Sequence, residues 1–370
     1  MLSKKNKGIT LVALVITIII LLILAGISIS ALTNTGLFGK AKEAKEKSEN
    51  AEKQQSKLLD SYEKELNKYT SEELTTANAN VVLSETENVE LHDANGYKIV
   101  VPAGFKVVVN DDTNNAMTVD KGIVIEDATS TSTTGSQFVW IPVGTITKAD
   151  GTTVEINLDR YTFDSNGIPT AQNDSAIAGE SYNFQELATG NGNTVAKSIT
   201  NFKNSVTTNG GYYIGRYEAR KNASGTITEV GTDTIWNYIN QPTAATKAQN
   251  MYDSTHPFTS DLINSYAWDT ATVFLQSCGT NNKYSKQNSL NSSLVSTGTY
   301  NQTTKDIQCN VYDMASNVWE WTTETSSRSG YPCTYRGGLY SITYFYTSSR
   351  SSISASDFGS DDGFRPLLYL

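Results

Sequence analysis

The run Tyr312-Asp313-Met314-Ala315-Ser316-Asn317-Val318-Trp319-Glu320-Trp321, read with Arg336-Gly337-Gly338 and Gly363-Phe364-Arg365 further on, decides the fold. Trp319 and Trp321 alternate with polar neighbours, the spacing of a strand that sends large rings to one face. The paired glycines at 337 and 338 permit close approach of two backbones, or torsion angles that other residues avoid. Arg336 and Arg365 are planar, permanently charged forks, suited to tying irregular loops to carboxylates and carbonyls. Read physically, these segments are scaffold rather than catalytic groups.

Working outward toward the N-terminus, Ser265-Tyr266-Ala267-Trp268-Asp269-Thr270-Ala271 predicts a short amphipathic helix over 266–274, with Trp268, Thr272 and Leu275 spaced for one face. Gly211-Tyr212-Tyr213-Ile214-Gly215-Arg216-Tyr217-Glu218 and Gln137-Phe138-Val139-Trp140-Ile141-Pro142-Val143-Gly144 are short apolar runs of strand type.

Toward the C-terminus the composition changes. From Thr325 to Leu370 there is no Lys, Glu, Gln, Met or Trp, although all five are spread through the rest of the chain and Glu324 is the last of them. Every residue in that window can be written with a codon ending in C or T, and those five cannot. That pattern points to a bias set at the nucleotide level. It falls on Leu339-Tyr340-Ser341-Ile342-Thr343-Tyr344-Phe345-Tyr346-Thr347-Ser348-Ser349 and on Ser351 to Asp362. Rings there offer contact area at low entropy cost, and hydroxyls and carboxylates offer adaptable hydrogen bonds. The plainer reading of the same residues is a half-buried strand with Tyr340, Tyr344 and Tyr346 alternating.

The 370 residues leave room for two or three domains, and a net charge of −9 argues against a nucleic-acid partner, which needs a basic face. Cys278, Cys309 and Cys333 are an odd number, which disfavours a disulfide framework; three buried thiols, or one bridge and a free thiol, are both open. His92 and His256 lie far apart, too few for a Ser/His/Asp set or a soft-metal site.

At the other end, Lys4, Lys5 and Lys7 precede an uncharged apolar run from Ile9 to Leu32, long enough to cross a hydrocarbon core of about 30 Å. The lysines place the bulk of the chain outside the membrane. The run lacks the small-residue cleavage site of a secretory signal peptide. Beyond it, Leu37 to Leu74 is charged and helical in pattern. Glu43/Lys47, Glu49/Lys53 and Asp60/Lys64 stand at i,i+4, and Leu58, Leu59, Tyr62, Leu66 and Tyr69 form a narrow apolar stripe. From about Val81, short β-type runs over 97–109 and 122–125 read as a small spacer, and the Ser/Thr-rich 129–135 as a linker.

Lys7-Gly8-Ile9-Thr10-Leu11-Val12 resembles the leader of type IV pilins, which implies cleavage between Gly8 and Ile9 by a prepilin peptidase and contact with other pilin subunits. Ala13 departs from the glutamate such proteins carry at that place, so cleavage and a plain single-pass anchor both stand. The Asn-Val-Trp-Glu-Trp, Arg-Gly-Gly and Gly-Phe-Arg series, in this order after the 137, 211 and 265 segments, resembles the formylglycine-generating-enzyme family. That family has a variant of the C-type lectin fold. The resemblance implies an α+β chain: leader 1–8, transmembrane helix 9–32, helical stalk 33–78, small β spacer and linker 79–134, and a C-type-lectin-like head over 135–370.

The resemblance also implies calcium held by Asp313 and Glu320 side chains with Ser316 and Val318 backbone oxygens, a hard-oxygen set. No copper or iron is expected, because this sequence lacks the ligands. The family's copper-binding cysteine pair is missing from Leu339 to Asp362, where Ile342 and Thr347 stand near its place, so no oxidase activity is expected. What replaces it resembles the variable proteins of diversity-generating retroelements, whose lectin-type tails are rewritten at adenines in AAC-type codons. That resemblance implies a variable region over 326–370 with ligand-facing Leu339, Tyr340, Ile342, Tyr344, Phe345, Tyr346, Ser352, Ser354, Phe358 and Asp361, and retained scaffold at Gly337, Gly338, Arg350, Gly363 and Arg365. The expected protein is a surface-anchored binder of a protein or glycan on a bacterium or its phage, with the C-terminus extracellular. A minor pilin with a structural head is the alternative, and a formylglycine-type oxidase a remote third.

Overall fold

The computed structural model describes residues 37–70, 72–221, 226–227, 235–288, 293–296, 298 and 306–370. The Gly8–Ile9 cleavage site and the apolar run 9–32 lie outside the described residues. Among the described residues, no helix is long and apolar enough to cross a membrane. The chain divides into two units, Met1–Leu66 and Asn67–Leu370.

Helix α1 spans Leu37–Thr70. With few breakers and strong helix formers throughout, it is held by its own i,i+4 pairs: Lys47 Nζ lies 2.7 Å from Glu43, and Lys45 Nζ 3.6 Å from Glu49. Such exposed pairs contribute only tenths of a kilocalorie each, roughly 0.3–0.5 kcal/mol. Leu58 and Leu59 of the expected stripe are 55% and 59% exposed. The helix stops at Thr70, short of the expected 78, because Leu74 and Ala79 are drawn into the core of the second unit.

In that unit the strands that position the site are β1 (Phe105–Val108), β2 (Val124–Asp127), β3 (Gln137–Pro142), β4 (Ile177–Ala178), β5 (Asn183–Gln185) and β6 (Gly211–Gly215). Then follow β7 (Thr259–Leu262), β8 (Trp319–Ser326), β9 (Cys333–Arg336), β10 (Arg350–Ile353), β11 (Asp362–Phe364) and β12 (Pro366–Tyr369). Helices α2 (Ile199–Asn209), α3 (Gln241–Gln249) and α4 (Ser265–Cys278) lie between them. The architecture is mixed α/β and mostly sheet.

One antiparallel sheet runs β7-β12-β6-β3-β2-β1; the other runs β4-β5-β8-β9-β10, with β11 parallel to β8. The first sheet overturns the expected spacer. β1 and β2 pair in register with β3, Val124 opposite Val139 and Ile125 opposite Phe138, so residues 105–127 are part of the head's own sheet. Their alternation is the same as that of the head strands, and only the non-local pairing tells them apart from a separate module.

Helix α4 corrects a second expectation. It is buried all round from Ser265 to Gln276, not amphipathic. Most of its polar side chains find partners inside: Asp269 Oδ2 accepts from Tyr161 N (2.9 Å), Thr272 donates to Trp268 O (2.9 Å) and Gln276 Nε2 to Gly167 O (3.0 Å). Asn264 Oδ1 caps the helix by accepting from Ala267 N (2.9 Å), and Tyr212 donates its hydroxyl to Ala267 O (2.7 Å). One core gathers Trp140, Tyr212, Tyr213, Trp268 and Phe274; a second gathers Trp321, Tyr335, Cys333 and Phe364 under the C-terminal segment.

Candidate ligand-binding face

The C-terminal segment is hung on buried arginines. Arg365 donates Nε and NH2 to the two oxygens of Glu320 (3.0 and 2.6 Å), NH1 to Gly215 O and NH2 to Tyr312 O (both 2.8 Å). A second network fixes both ends of the loop between β9 and β10. Arg336 gives Nε to Ser349 O (2.9 Å) and NH2 to Asp269 of α4 (2.5 Å). Arg350 gives Nε to both Glu324 oxygens (3.1 and 3.2 Å), NH2 to Asp269 and NH1 to Tyr161 O. Arg160 closes on Glu324 from the other side (2.5 Å). Burial alone would raise the Glu324 pKa, but Arg350, then Arg160 and Arg336, hold it at about 2.

Glycine geometry lets the loop leave this frame. Gly337 has φ of 92°, and a Cβ at Gly338 would sit 2.1 Å from Ala315 O, so the chain passes flush against the Met314–Ala315 backbone.

Between the anchors, residues 339–349 are a turn-rich loop with an isolated Leu339–Ile342 bridge, not the alternating strand of the plainer reading. Groups outside the loop hold it by its backbone. Asn288 Nδ2 donates to Ile342 O (2.7 Å) and to Phe345 O, and Trp268 Nε1 donates to Thr347 O (2.8 Å). Tyr340 N donates to Asn317 O, Thr347 N to Gln287 O and Ser348 N to Ser285 O, each at 3.1 Å. Among the described residues no side chain from Leu339 to Ser348 takes part in a hydrogen bond. Loop position therefore depends on fixed residues elsewhere; within the loop Leu339 and Thr347 are buried, and no hydrogen bond dictates the side chains of 340–346.

Two of the ten expected ligand-facing residues are corrected by burial. Leu339 is 1% exposed, because the chain leaving Gly338 dives beside Ala315 before it turns out. Ser352 is 4% exposed; it stands opposite Thr334 on the inner face of β10, and its Oγ accepts from Arg328 (3.3 Å). Tyr344 and Phe358 are exposed, at 67% and 61%. Tyr340, Ile342, Phe345, Tyr346, Ser354 and Asp361 are half-buried.

Trp319 brings the 344–345 and 358–361 stretches together. Its ring stacks on Tyr335 (5.2 Å) and meets Phe345 edge-on (4.7 Å), Phe345 in turn lying 4.9 Å from Tyr344. Its backbone N–H donates to Asp361 O (2.9 Å). Trp321 buries its indole and donates to Ile239 O (2.7 Å), whereas the Trp319 indole N–H has no partner among the described residues.

Sequence reading missed Tyr238. It is 65% exposed at φ of 51°, a costly angle for an aromatic residue, and its N–H donates to Gly359 O (2.9 Å) while Asn237 reaches Ser360 O. It thus stands beside Phe358 although it lies far outside the biased window. The only signal was an aromatic run, Trp236-Asn237-Tyr238, between Ile235 and Ile239.

On the other flank of the loop lies a cleft of about 460 Å³, where Tyr346, Ser349 and Arg350 face Phe163, Glu180, Tyr182 and Lys286. Lys286 is half-buried, donates to Phe163 O (3.0 Å) and has a pKa lowered by burial, with its ammonium 5.9 Å from the Tyr346 ring. Rings, hydroxyls, the Glu180 carboxylate and the cations Lys286 and Arg350 thus line the cleft together.

Of the residues expected to hold calcium, the Glu320 side chain is already taken: both its oxygens accept from Arg365. Asp313 keeps one buried oxygen without a partner among the described residues, and among them no group of three His, Cys, Asp or Glu is placed to hold a metal ion. Burial, then the Asp306 charge, pushes Asp313 up to about 7.

No family model matches the chain, and no curated protein does. Among solved structures it is similar to PvdO from Pseudomonas aeruginosa (13% identity, 64% of this chain and 95% of that one, TM-score 0.34). It is also similar to Treponema denticola variable protein 1 (14%, 63% and 96%, TM-score 0.27) and to a Major Tropism Determinant M1 variant (12%, 80% and 82%, TM-score 0.32). At identities and TM-scores this low, the likenesses establish neither family nor activity.

Proposed function

We propose that the second unit is a C-type-lectin-like head that binds a macromolecular ligand, protein or glycan, through a diversified C-terminal face, without turnover. The observation that carries this reading is the division of labour over residues 340–346: fixed residues grip the backbone, while among the described residues no side chain there takes part in a hydrogen bond. A segment built this way accepts rewriting without loss of fold. The codon-level bias of the same window supports diversification at adenines.

The face comprises Tyr340, Ile342, Tyr344, Phe345, Tyr346, Ser354, Phe358 and Asp361, flanked by Tyr238 and the Lys286 cleft. The expected alternative chemistry finds no support. Cys333 is buried with its thiol pushed up to about 12 by desolvation, and a thiolate is the form that metal binding and attack require. The N-terminal segment, in this reading, displays the head at a bacterial surface from a single-pass or pilin-like anchor.

The decisive experiment is the gene neighbourhood together with a loop exchange. An imperfect copy of the 3′ end, differing mainly at adenines beside a reverse transcriptase gene, is the expected finding. Replacing residues 340–346 by another hydroxyl-and-ring sequence is expected to change the ligand selected from displayed glycans or peptides and to leave the melting curve in place. A loop exchange that unfolds the head would sink the proposal.

A further inference from the structure

Cysteine chemistry elsewhere in the head is not used by this reading. Cys278 is the last residue of α4, and the chain then turns through Gly279, whose N–H closes on Leu275 O (2.9 Å). Gln308 covers that turn: its Oε1 accepts from Thr280 N (2.8 Å) and Asn281 N (3.2 Å), and a Cβ on Gly279 would lie 3.2 Å from Gln308 Cβ. The next residue is Cys309. With Asn310 it makes a two-residue turn, φ 44° and 65°, between the paired segments Ile307–Gln308 and Val311–Tyr312.

Both thiols pack against the same core cluster and share Asp120 as a neighbour. Cys309 Sγ is 3.6 Å from Asp120 O, the Asp120 charge raises the Cys278 pKa after burial does, and the Cys278 thiol raises that of Cys309. Cys333 belongs to the other core cluster.

We infer that Cys278 and Cys309 are a disulfide-forming pair, oxidised when the head folds in the presence of a disulfide oxidant, with Cys333 left as the free thiol. In the step, one protein thiolate attacks the S–S bond of a small disulfide such as oxidised glutathione and expels one small thiol. The second protein thiolate then attacks the mixed disulfide and expels the other small thiol. Two protein S–H bonds are lost, and their two electrons and two protons pass to the small disulfide.

The bridge would close the 279–308 segment into a loop tied to the end of α4, lowering the entropy of the unfolded chain. That segment carries Ser285, Gln287 and Asn288, which grip the ligand loop, so the pair would brace the platform under the binding face. The inference does not depend on what the face binds.

The test refolds full-length protein from denaturant in a glutathione redox buffer near pH 8.5, the ordinary cysteine pKa, where about half of the thiols of the unfolded chain are thiolate. Remaining thiols are then alkylated and peptides mapped by mass. The expected result is one cross-linked peptide pair joining Cys278 to Cys309 with the loss of two hydrogens, alkylation at Cys333 alone, and a melting temperature that falls when dithiothreitol is added. C333S should keep both the link and the shift; C278S and C309S should lose both, with melting temperatures matching reduced wild type. Alkylation of all three cysteines after refolding in oxidised glutathione, or a link that includes Cys333, would overturn the inference.

Discussion

The framework strands and the 339–349 loop are adjacent in sequence and obey opposite rules. In the framework, Trp321, Arg336, Glu320 and Arg365 are each fully buried and each side chain has named partners, so identity is dictated by contact. In the loop, partners reach the backbone, and the side chains between the buried Leu339 and Thr347 reach solvent, one another, Trp319 or Lys286. The contrast teaches how a head can keep a fold while its face changes: put every obligatory polar interaction on main-chain atoms or on residues outside the variable stretch.

The largest effect expected from this contrast is at Arg365. Arg365→Met leaves the buried Glu320 carboxylate unpaired, and denaturant unfolding should show a loss of about 3–5 kcal/mol or no folded protein. Asn288→Ala tests the grip from outside the loop. Two carbonyls, Ile342 O and Phe345 O, lose their donor, so hydrogen exchange should quicken at amides 342–348 with a global cost of roughly 1–2 kcal/mol.

Acid–base behaviour sharpens the same contrast, because the perturbed carboxylates belong to the framework. Glu186 is pushed up to about 7 by burial and then Glu324, and Asp261 to about 6 by burial. Each holds its proton in the folded state at pH values where the unfolded chain has released it, so stability falls as pH rises from about 4 to about 7. Glu324 works the other way: its contribution is present above its ordinary value of 4.5 and is lost as pH falls through about 2. Thermal melts should therefore peak in mildly acidic buffer, and Glu186→Gln should flatten the decline toward neutral pH.

At the low end of the scale, Tyr344→Ser and Phe358→Ser should each move stability by less than about 0.5 kcal/mol while weakening any ligand. A large stability loss there would erase the distinction between frame and loop. Calcium or a chelator should leave the melting temperature where it is, since Arg365 already neutralises Glu320; a clear calcium-dependent rise would reopen the metal site.

Local chemistry was legible where it is self-contained. The glycine pair at 337–338, the forked arginines and the alternating tryptophans declared a scaffold because few other environments suit those side chains. Helix α1 was legible because its stabilising pairs lie four residues apart on one element.

Other features depended on partners distant in the chain. Strands 105–108 and 124–127 read as a separate spacer until their register against β3 was known. Helix α4 read as half-exposed because nothing in its own sequence reports that Tyr212, Asp159 and Arg336 would surround its polar residues. Leu339 and Ser352 sit in a window of exposed type, yet burial is set by where Gly338 and β9 direct the chain. Calcium at Glu320 was an expectation carried by the family resemblance, and only the fold brought Arg365 against that carboxylate.

The sequence by itself determined the kinds of residue available: a rigid set of rings, glycines and arginines, a charged helix, and a biased tail rich in tyrosine and serine. Tertiary structure decided which of the tail residues face water, and that Tyr238 and Trp319 join them. The reason is physical. Torsion preference and charge spacing act between near neighbours, whereas burial and hydrogen-bond partnership are properties of surfaces that meet only after the chain has folded back on itself.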